Sequence, residues 1–374
     1  MREFFDADER AFADEVRAFI DGRDWAPCYF DHADGADDRI RDLYLALGDR
    51  GWLSLGWPRR FGGQERPPTY EFILWDEMAY ARLGRPPLAA GIVAHSIILH
   101  GTDAQQHRYL PGIRRGETSF CLGLSEPEAG SDLGGVRTRA VRDGDAYRVT
   151  GEKRWTSMAH ASDNIWLLCR TGPPEDRSRS LSFLLVDLAT PGITVTPIPT
   201  IDDGRLNEVH FDDVVVPVDR RLGAEGAGWD VLGRSLVLER HLEFTPGRLR
   251  RDLDDIEAWC AALGLLADPV VRWRLDDLRL GLYEVEALAL GVLVEIAAGR
   301  PATVEAACSK LAGSELAQRL ARTALDLGGP EGLVGGAGPE FLWRQSISET
   351  IGGGTSEMMR NTIARQGLDL TSGR

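Results

Sequence analysis

Apolar residues recur at helical spacing over the first third of the chain. Phe12, Val16, Phe19 and Ile20 make one stripe, and Asp6 followed by Glu9 sets up a capping box ahead of it. The same period predicts helices over residues 40–47, 70–81 and 89–99, punctuated by the glycine- and proline-marked turn at 56–63. From Ser119 the rhythm changes to period two. Tyr147 and Val149, then Ile165, Leu167 and Cys169, then Phe183 and Leu185 alternate between Gly-, Asp- and Pro-rich turns, which predicts a small antiparallel sheet. The glycines at 223, 226 and 228 end that region, and helical periodicity returns over 229–244, 249–262, 270–298, 303–325 and 355–368. The expected class is α+β: an N-terminal helical domain (1–118), a central antiparallel β-domain (119–222) and a C-terminal four-helix bundle (223–374).

A chain of 374 residues can support two or three such domains, and 43% hydrophobic with 27% charged residues is ordinary for a globular protein. No apolar run is long enough to span a bilayer, and the acidic first nine residues are unlike a signal peptide, so the expectation is a cytoplasmic protein without a membrane partner. The five cysteines (Cys28, Cys121, Cys169, Cys260, Cys308) are scattered and never spaced C-x-x-C, which favours buried free thiols. A net charge of −15 excludes a nucleic-acid surface and offers no general attraction to anionic ligands, so any phosphate contact must be local. His95, His100, His107 and His160 form no metal motif.

The candidate chemistry begins at residues 119–133, an apolar run that breaks into Ser125-Glu-Pro-Glu-Ala-Gly-Ser-Asp132. Pro127 fixes φ, Gly130 can take positive φ, and Ser131 and Asp132 can bond nearby amides. A strand ending in such a turn can receive a flat heterocycle or a pyrophosphate, although the same residues would also make an ordinary hairpin turn, with Glu126 and Glu128 as surface charge. Two further blocks follow: Gly151-Glu-Lys-Arg-Trp155-Thr-Ser157, and Gly352-Gly-Gly-Thr355-Ser-Glu357-Met-Met-Arg360.

Three blocks in this order resemble the acyl-CoA dehydrogenase family of flavoproteins, almost end to end. The resemblance implies FAD-dependent α,β-dehydrogenation of an acyl thioester to the 2-enoyl thioester, with hydride passing to flavin N5. It places the cofactor against Leu122, Leu124, Ser125, Gly130, Ser131, Trp155, Thr156 and Ser157, with Thr355 and Glu357 reaching it from the C-terminal region. Many relatives carry a catalytic glutamate where this chain has Gly353. A minority place it on the helix that opens the bundle, directly before an arginine, and here that position is Glu239, followed by Arg240. Glu239 is therefore expected to take the α proton, with its pKa raised by apolar surroundings. Ser131, Arg240, Gly353 and Gly354 would line the substrate, Gly353 through its backbone N–H, and the missing side chain would leave room for a branched or bulky acyl group.

Partners implied in the same way are an acyl-CoA or acyl-carrier-protein thioester and an electron-transfer flavoprotein or similar acceptor. The segment ending Leu263-Gly264 and the Leu325 before Gly328 lack the side chains with which homotetrameric relatives grip a neighbour's FAD. A homo-oligomer (dimer or tetramer) and a heterotetramer with a related subunit both stay open. Alternative readings are a carrier-protein-linked dehydrogenase or flavin oxygenase of a biosynthetic pathway, or a non-catalytic subunit of a heteromer.

Overall fold

The capping box at the start of the chain is formed as its residues dictate. Asp6 accepts the Glu9 amide at 2.8 Å and the Glu9 carboxylate accepts the Asp6 amide at 2.9 Å, opening helix α1 (Ala7–Asp21) with Phe12 and Val16 inward. The computed structural model describes residues 2–25, 36–335 and 338–370, with the side chains of 2, 36, 234 and 236–241 outside that description. Helices α2 (Ala36–Asp49), α3 (Pro68–Tyr80), α4 (Ala94–His100) and α5 (Asp103–Arg114) follow. A π-helical turn, Ala89–Val93, runs into α4. Eight strands come next: β1 (Phe120–Gly123), β2 (Arg139–Asp143), β3 (Ala146–Lys153), β4 (Asn164–Arg170), β5 (Leu181–Asp187), β6 (Ile193–Pro199), β7 (Arg205–Pro217) and β8 (Arg221–Leu222). The chain then continues as α6 (Gly228–Glu243), α7 (Pro246–Ala262), α8 (Pro269–Ala297), α9 (Thr303–Gly332), α10 (Pro339–Glu349) and α11 (Ser356–Thr362).

These elements form two compact units that interleave along the chain: Asp31–Arg66 with Pro86–Glu239, and Met1–Phe30 with Pro67–Arg85 and Arg240–Arg374. The sheet lies in the first of these. Its order is β6-β7-β3-β2-β4-β5-β8, with β1 paired to β4. The pairing is mostly antiparallel, as expected, with β1 running parallel to β4 and Arg139 of β2 also bridging Arg170 in parallel. The alternation of Tyr147, Val149, Ile165, Leu167 and Cys169 does point into one core, shared with Leu184 and Val186. Phe183 and Leu185 face the other way, where Phe183 stacks on Trp166 at 3.7 Å between ring centroids. β4 is buried along its whole length because both faces of the sheet are covered there. Gln105 of α5 fastens helix to sheet by donating to the Asp219 and Arg221 carbonyls at 2.6 and 2.9 Å.

The second unit packs α7, α8 and α9 around Leu253, Leu278, Leu282 and Leu320. The buried Asp76 of α3 accepts the Gly247 amide at the start of α7 (2.6 Å) and Arg250 (2.7 Å). α9 breaks at Gly329, ahead of Pro330. The periodicity does not predict α10: it follows a glycine-rich stretch, and its apolar residues Phe341, Leu342, Trp343 and Ile347 are mostly bunched at one end and make no clear stripe. Cys121, Cys169 and Cys260 are buried free thiols and Cys308 is a half-buried one, whereas Cys28 lies outside the described residues. Among the described residues no helix is long and apolar enough to cross a membrane, and no cluster of three potential metal ligands occurs.

Candidate functional site

β1 runs directly into the first block, and that loop is held from beneath by an ion pair. Lys153, at the end of β3 and without solvent exposure, donates to the Leu124 carbonyl at 3.0 Å and to Glu126 at 2.8 Å. Glu126 also accepts the amides of Arg137 (2.6 Å) and Thr138 (2.9 Å). Burial pushes the Glu126 carboxyl up, but the Lys153 charge and these donors outweigh it and hold the group below the usual carboxylate range. Burial draws the Lys153 ammonium down, against the pull of Glu126. Glu126 is therefore a buried anchor and not surface charge. It also does the amide bonding expected of Ser131 and Asp132: Asp132 instead receives Arg177, and Ser131 is exposed. Glu126 and Ala129 exchange backbone hydrogen bonds around Pro127, so the turn closes without Gly130 taking a positive φ.

The second block is laid beside the first. Gly151 sits at a bulge between β3 and β7 with φ 148°, and a Cβ there would come within 2.6 Å of Thr138. Beyond the bulge the Arg154 amide donates to the Ser125 carbonyl at 2.9 Å, which brings Ser125 next to Trp155, Thr156 and Ser157. Trp155 is held at φ 62° and is 50% exposed, its ring backed by the Arg154 guanidinium at 4.8 Å. Thr156 is buried, with its backbone pinned to Asn207 in both directions at 2.9 Å, yet its hydroxyl has no hydrogen-bond partner among the described residues. Leu122, Leu124 and Ser125 are half-buried and Ser157 is exposed. A large aromatic offered to solvent in a left-handed backbone, a buried hydroxyl lacking a partner and a locked small-residue turn suit a flat heterocycle with polar edges, so these residues fit a flavin.

The third block belongs to the other unit. Lys310 of α9, also buried, donates to the Glu349 carbonyl (3.0 Å) and the Gly354 carbonyl (2.6 Å), tying both ends of the glycine loop to the helix. Thr355 caps α11 by accepting the Met358 amide at 3.2 Å, and Glu357 lies exposed in its first turn. Gly353 has φ 65°, and a Cβ there would stand 2.9 Å from the Phe244 ring and 4.0 Å from a Glu243 carboxylate oxygen. Phe244 thus stands against the point where a side chain at 353 would begin. Glu243 and Phe244 also line a small cavity of about 20 Å³ with Arg248 and Glu349, roughly enough for one water. The side chains of Glu239 and Arg240 lie outside the described residues, so the expected base and its neighbour are placed only as positions on α6.

Lys153, Lys310, Glu126 and Glu243 were all missed as site-shaping residues. The first two were legible in principle, being the chain's only lysines and each buried.

Comparison with known proteins agrees with the arrangement. The acyl-CoA dehydrogenase N-terminal, middle and C-terminal domain models match residues 6–117, 121–214 and 226–368. The acyl-CoA dehydrogenase FadE29 of Mycobacterium tuberculosis is 35% identical over 88% of each chain, and FadE26 of the same organism is 33% identical over 90% of this chain and 89% of that one. Among solved structures, the Tcur3481-Tcur3483 steroid ACAD superposes with a TM-score of 0.91 at 31% identity over 99% of each chain. The ChsE4-ChsE5 complex from Mycobacterium tuberculosis superposes at 0.90 with 30% identity over 100% of each. The protein is an oxidoreductase acting on CH–CH bonds, and it belongs to the acyl-CoA dehydrogenase family.

Proposed function

We propose that the protein dehydrogenates an acyl thioester across Cα–Cβ, holding FAD against Leu122, Leu124, Ser125, Gly130, Ser131, Trp155, Thr156 and Ser157, with Thr355 and Glu357 contributing from the C-terminal block. The observation that carries this reading is the juxtaposition of the exposed Trp155 with the partnerless Thr156 hydroxyl beside the Lys153-locked loop. The flavin, when bound, supplies the hydride acceptor. The chain supplies the rest. The Glu239 carboxylate takes the α proton, and the Gly353 and Gly354 region offers backbone donors to the thioester oxygen, which acidifies that proton. Ser131 and Arg240 line the substrate path.

Glu239→Gln should keep its yellow flavin but lose substrate bleaching by about 10²–10⁴-fold in anaerobic stopped flow. Glu243 offers a second reading because its carboxylate lies beside the Gly353 position. If Glu243→Gln abolishes bleaching and Glu239→Gln does not, the base is Glu243.

A bulky acyl group is supported by the word steroid in the name of the Tcur3481-Tcur3483 relative, and the carrier-protein alternative by a related L-prolyl-[peptidyl-carrier protein] dehydrogenase of Pseudomonas fluorescens at 29% identity. Assembly with a related, non-identical subunit is supported by the paired names of both solved relatives. Association with another subunit, identical or not, is also supported by an apolar stripe on α8 that faces away from its own core: Trp273, 67% exposed, with Leu280, Tyr283 and Val294.

A further inference from the structure

The turn that follows β3 is held by a polar chain that the dehydrogenation set out above does not use. Two residues other than glycine, Trp155 at φ 62° and Met158 at φ 59°, sit in the left-handed region on either side of Thr156 and Ser157. Such a conformation costs about 1–2 kcal/mol per residue and persists only where the surroundings impose it. The Met158 end is fixed locally, its carbonyl accepting the Ala161 amide at 3.0 Å and the Ser162 hydroxyl at 2.8 Å. The Trp155 end is fixed from outside. Asn207 of β7, without solvent exposure, accepts the Thr156 amide on its backbone carbonyl and donates its side-chain nitrogen to the Thr156 carbonyl, both at 2.9 Å.

The partners of Asn207 decide which way its amide points and, through it, where His160 carries its proton. Arg205 donates Nε to Oδ1 of Asn207 at 2.9 Å, and the Thr156 carbonyl can only accept. The amide oxygen therefore faces the arginine and the nitrogen faces the turn. The second N–H of that nitrogen is left for Nδ1 of His160, 3.2 Å away. Nδ1 must then be the lone-pair nitrogen and Nε2 the protonated one. Nε2 is the atom that meets the Asp37 carboxylate of α2, at 3.1 Å. Because His160 lies four residues beyond Thr156, the chain Asp37–His160–Asn207–Thr156 closes the turn on itself.

We propose that Asn207 and His160 are positioning residues for the flavin face of this turn. His160, held by Asp37 as the Nε2–H tautomer, steadies the Asn207 amide, and that amide fixes the backbone presenting Trp155 and Thr156. The proposal rests on the reading of Trp155, Thr156 and Ser157 as flavin-facing.

Two substitutions at His160, whose side chain is 19% exposed, separate positioning from general stability. Asparagine can offer Asn207 an acceptor close to where Nδ1 stands, and leucine offers none. Amide exchange over residues 154–161 of the holoenzyme should rise about fivefold in His160→Leu, the worth of one hydrogen bond, and the flavin's visible circular-dichroism band should change. Exchange in β4 and flavin content should stay as in the wild type. His160→Asn should restore both the exchange and the band. A leucine variant that matches the wild type in both readouts, or an asparagine variant no better than leucine, overturns the proposal. Nitrogen-15 NMR of histidine-labelled protein at neutral pH should find His160 unprotonated at Nδ1 and protonated at Nε2, and the opposite tautomer also overturns it. Asn207→Asp turns the donor into an acceptor and should exceed the leucine change; should it misfold, the two His160 variants decide alone. If the wild type itself carries no flavin, the dehydrogenase reading fails, and the tautomer and exchange results still decide whether the clamp exists.

Discussion

The chain has two lysines, and each is buried beneath one of its functional loops, yet the two are held in different ways. Lys153 meets a buried carboxylate, and the pair fastens the turn after β1 to the end of β3. Lys310 spans the glycine loop by donating to the Glu349 and Gly354 carbonyls, with its ammonium 5.5 Å from the Phe244 ring centroid. The first arrangement is rigid because removing either partner strands a charge in a region of low dielectric. The second sets the charge against two carbonyl dipoles and a ring face, with the exposed Glu357 carboxylate also in its field, a softer hold for a loop with two consecutive glycines at positive φ. The turn after β1 is thereby fixed by a buried ion pair, while the glycine loop keeps more freedom to adjust.

The largest expected effect tests the rigid half. Lys153→Met leaves Glu126 ionised and buried and should cost about 3–5 kcal/mol in urea or thermal unfolding, with flavin lost alongside. Lys310→Met should cost less, about 1–3 kcal/mol, since the carbonyls it abandons are neutral and the Glu357 carboxylate in its field is exposed to solvent. Equal costs would erase the distinction. A double-mutant cycle sharpens it further: Glu126→Gln with Lys153→Met should be less destabilising than the two single costs added together, by a coupling of about 1–3 kcal/mol. Additive costs would mean that the two groups act separately.

Much of this architecture was readable from residue order. The capping box at Asp6 and Glu9, the stripe at Phe12 and Val16, and the alternation through Ile165 and Cys169 are local patterns enforced by local geometry. What escaped the sequence is non-local. Nothing near Glu126 in the chain announces Lys153, 27 residues away, so the carboxylate reads as part of a charged turn. The parallel β1–β4 pairing depends on where a four-residue strand is inserted, which no alternation encodes. Nothing near Gly353 in the chain announces Phe244, more than a hundred residues earlier, whose ring stands against it. The three blocks were legible as chemistry, whereas the clamps that position them were not.

Acid titration separates the loops more gently. Glu126 is held below its unfolded value of about 4.3, so its contribution is complete above that pH and is lost as pH falls through the lower, folded value. The stability gap between the wild type and Glu126→Gln should therefore be constant from about pH 5 to 7 and narrow below about 4.3. Measuring the difference between the two proteins cancels the other carboxylates. A gap that widened on acidification would contradict a depressed pKa.

The smallest effect probes the softer loop at Gly353, where two separable costs oppose any side chain. One is intrinsic: at φ 65° a Cβ crowds its own backbone, at about 1–2 kcal/mol. The other is extrinsic, the Phe244 ring edge 2.9 Å from where that Cβ would sit. Gly353→Ala in the wild type carries both, whereas in a Phe244→Leu background only the first should remain, because a smaller side chain can withdraw. The penalty for the alanine should accordingly fall by several tenths of a kcal/mol when Phe244 is replaced, read as a shift in denaturation midpoint at constant slope. The same pair of backgrounds reports on function. If the ring bounds the acyl group, Phe244→Leu alone should raise kcat/KM for bulky thioesters relative to straight-chain ones. An identical alanine penalty in both backgrounds would mean that the ring yields freely, and the position would then be governed by backbone conformation alone.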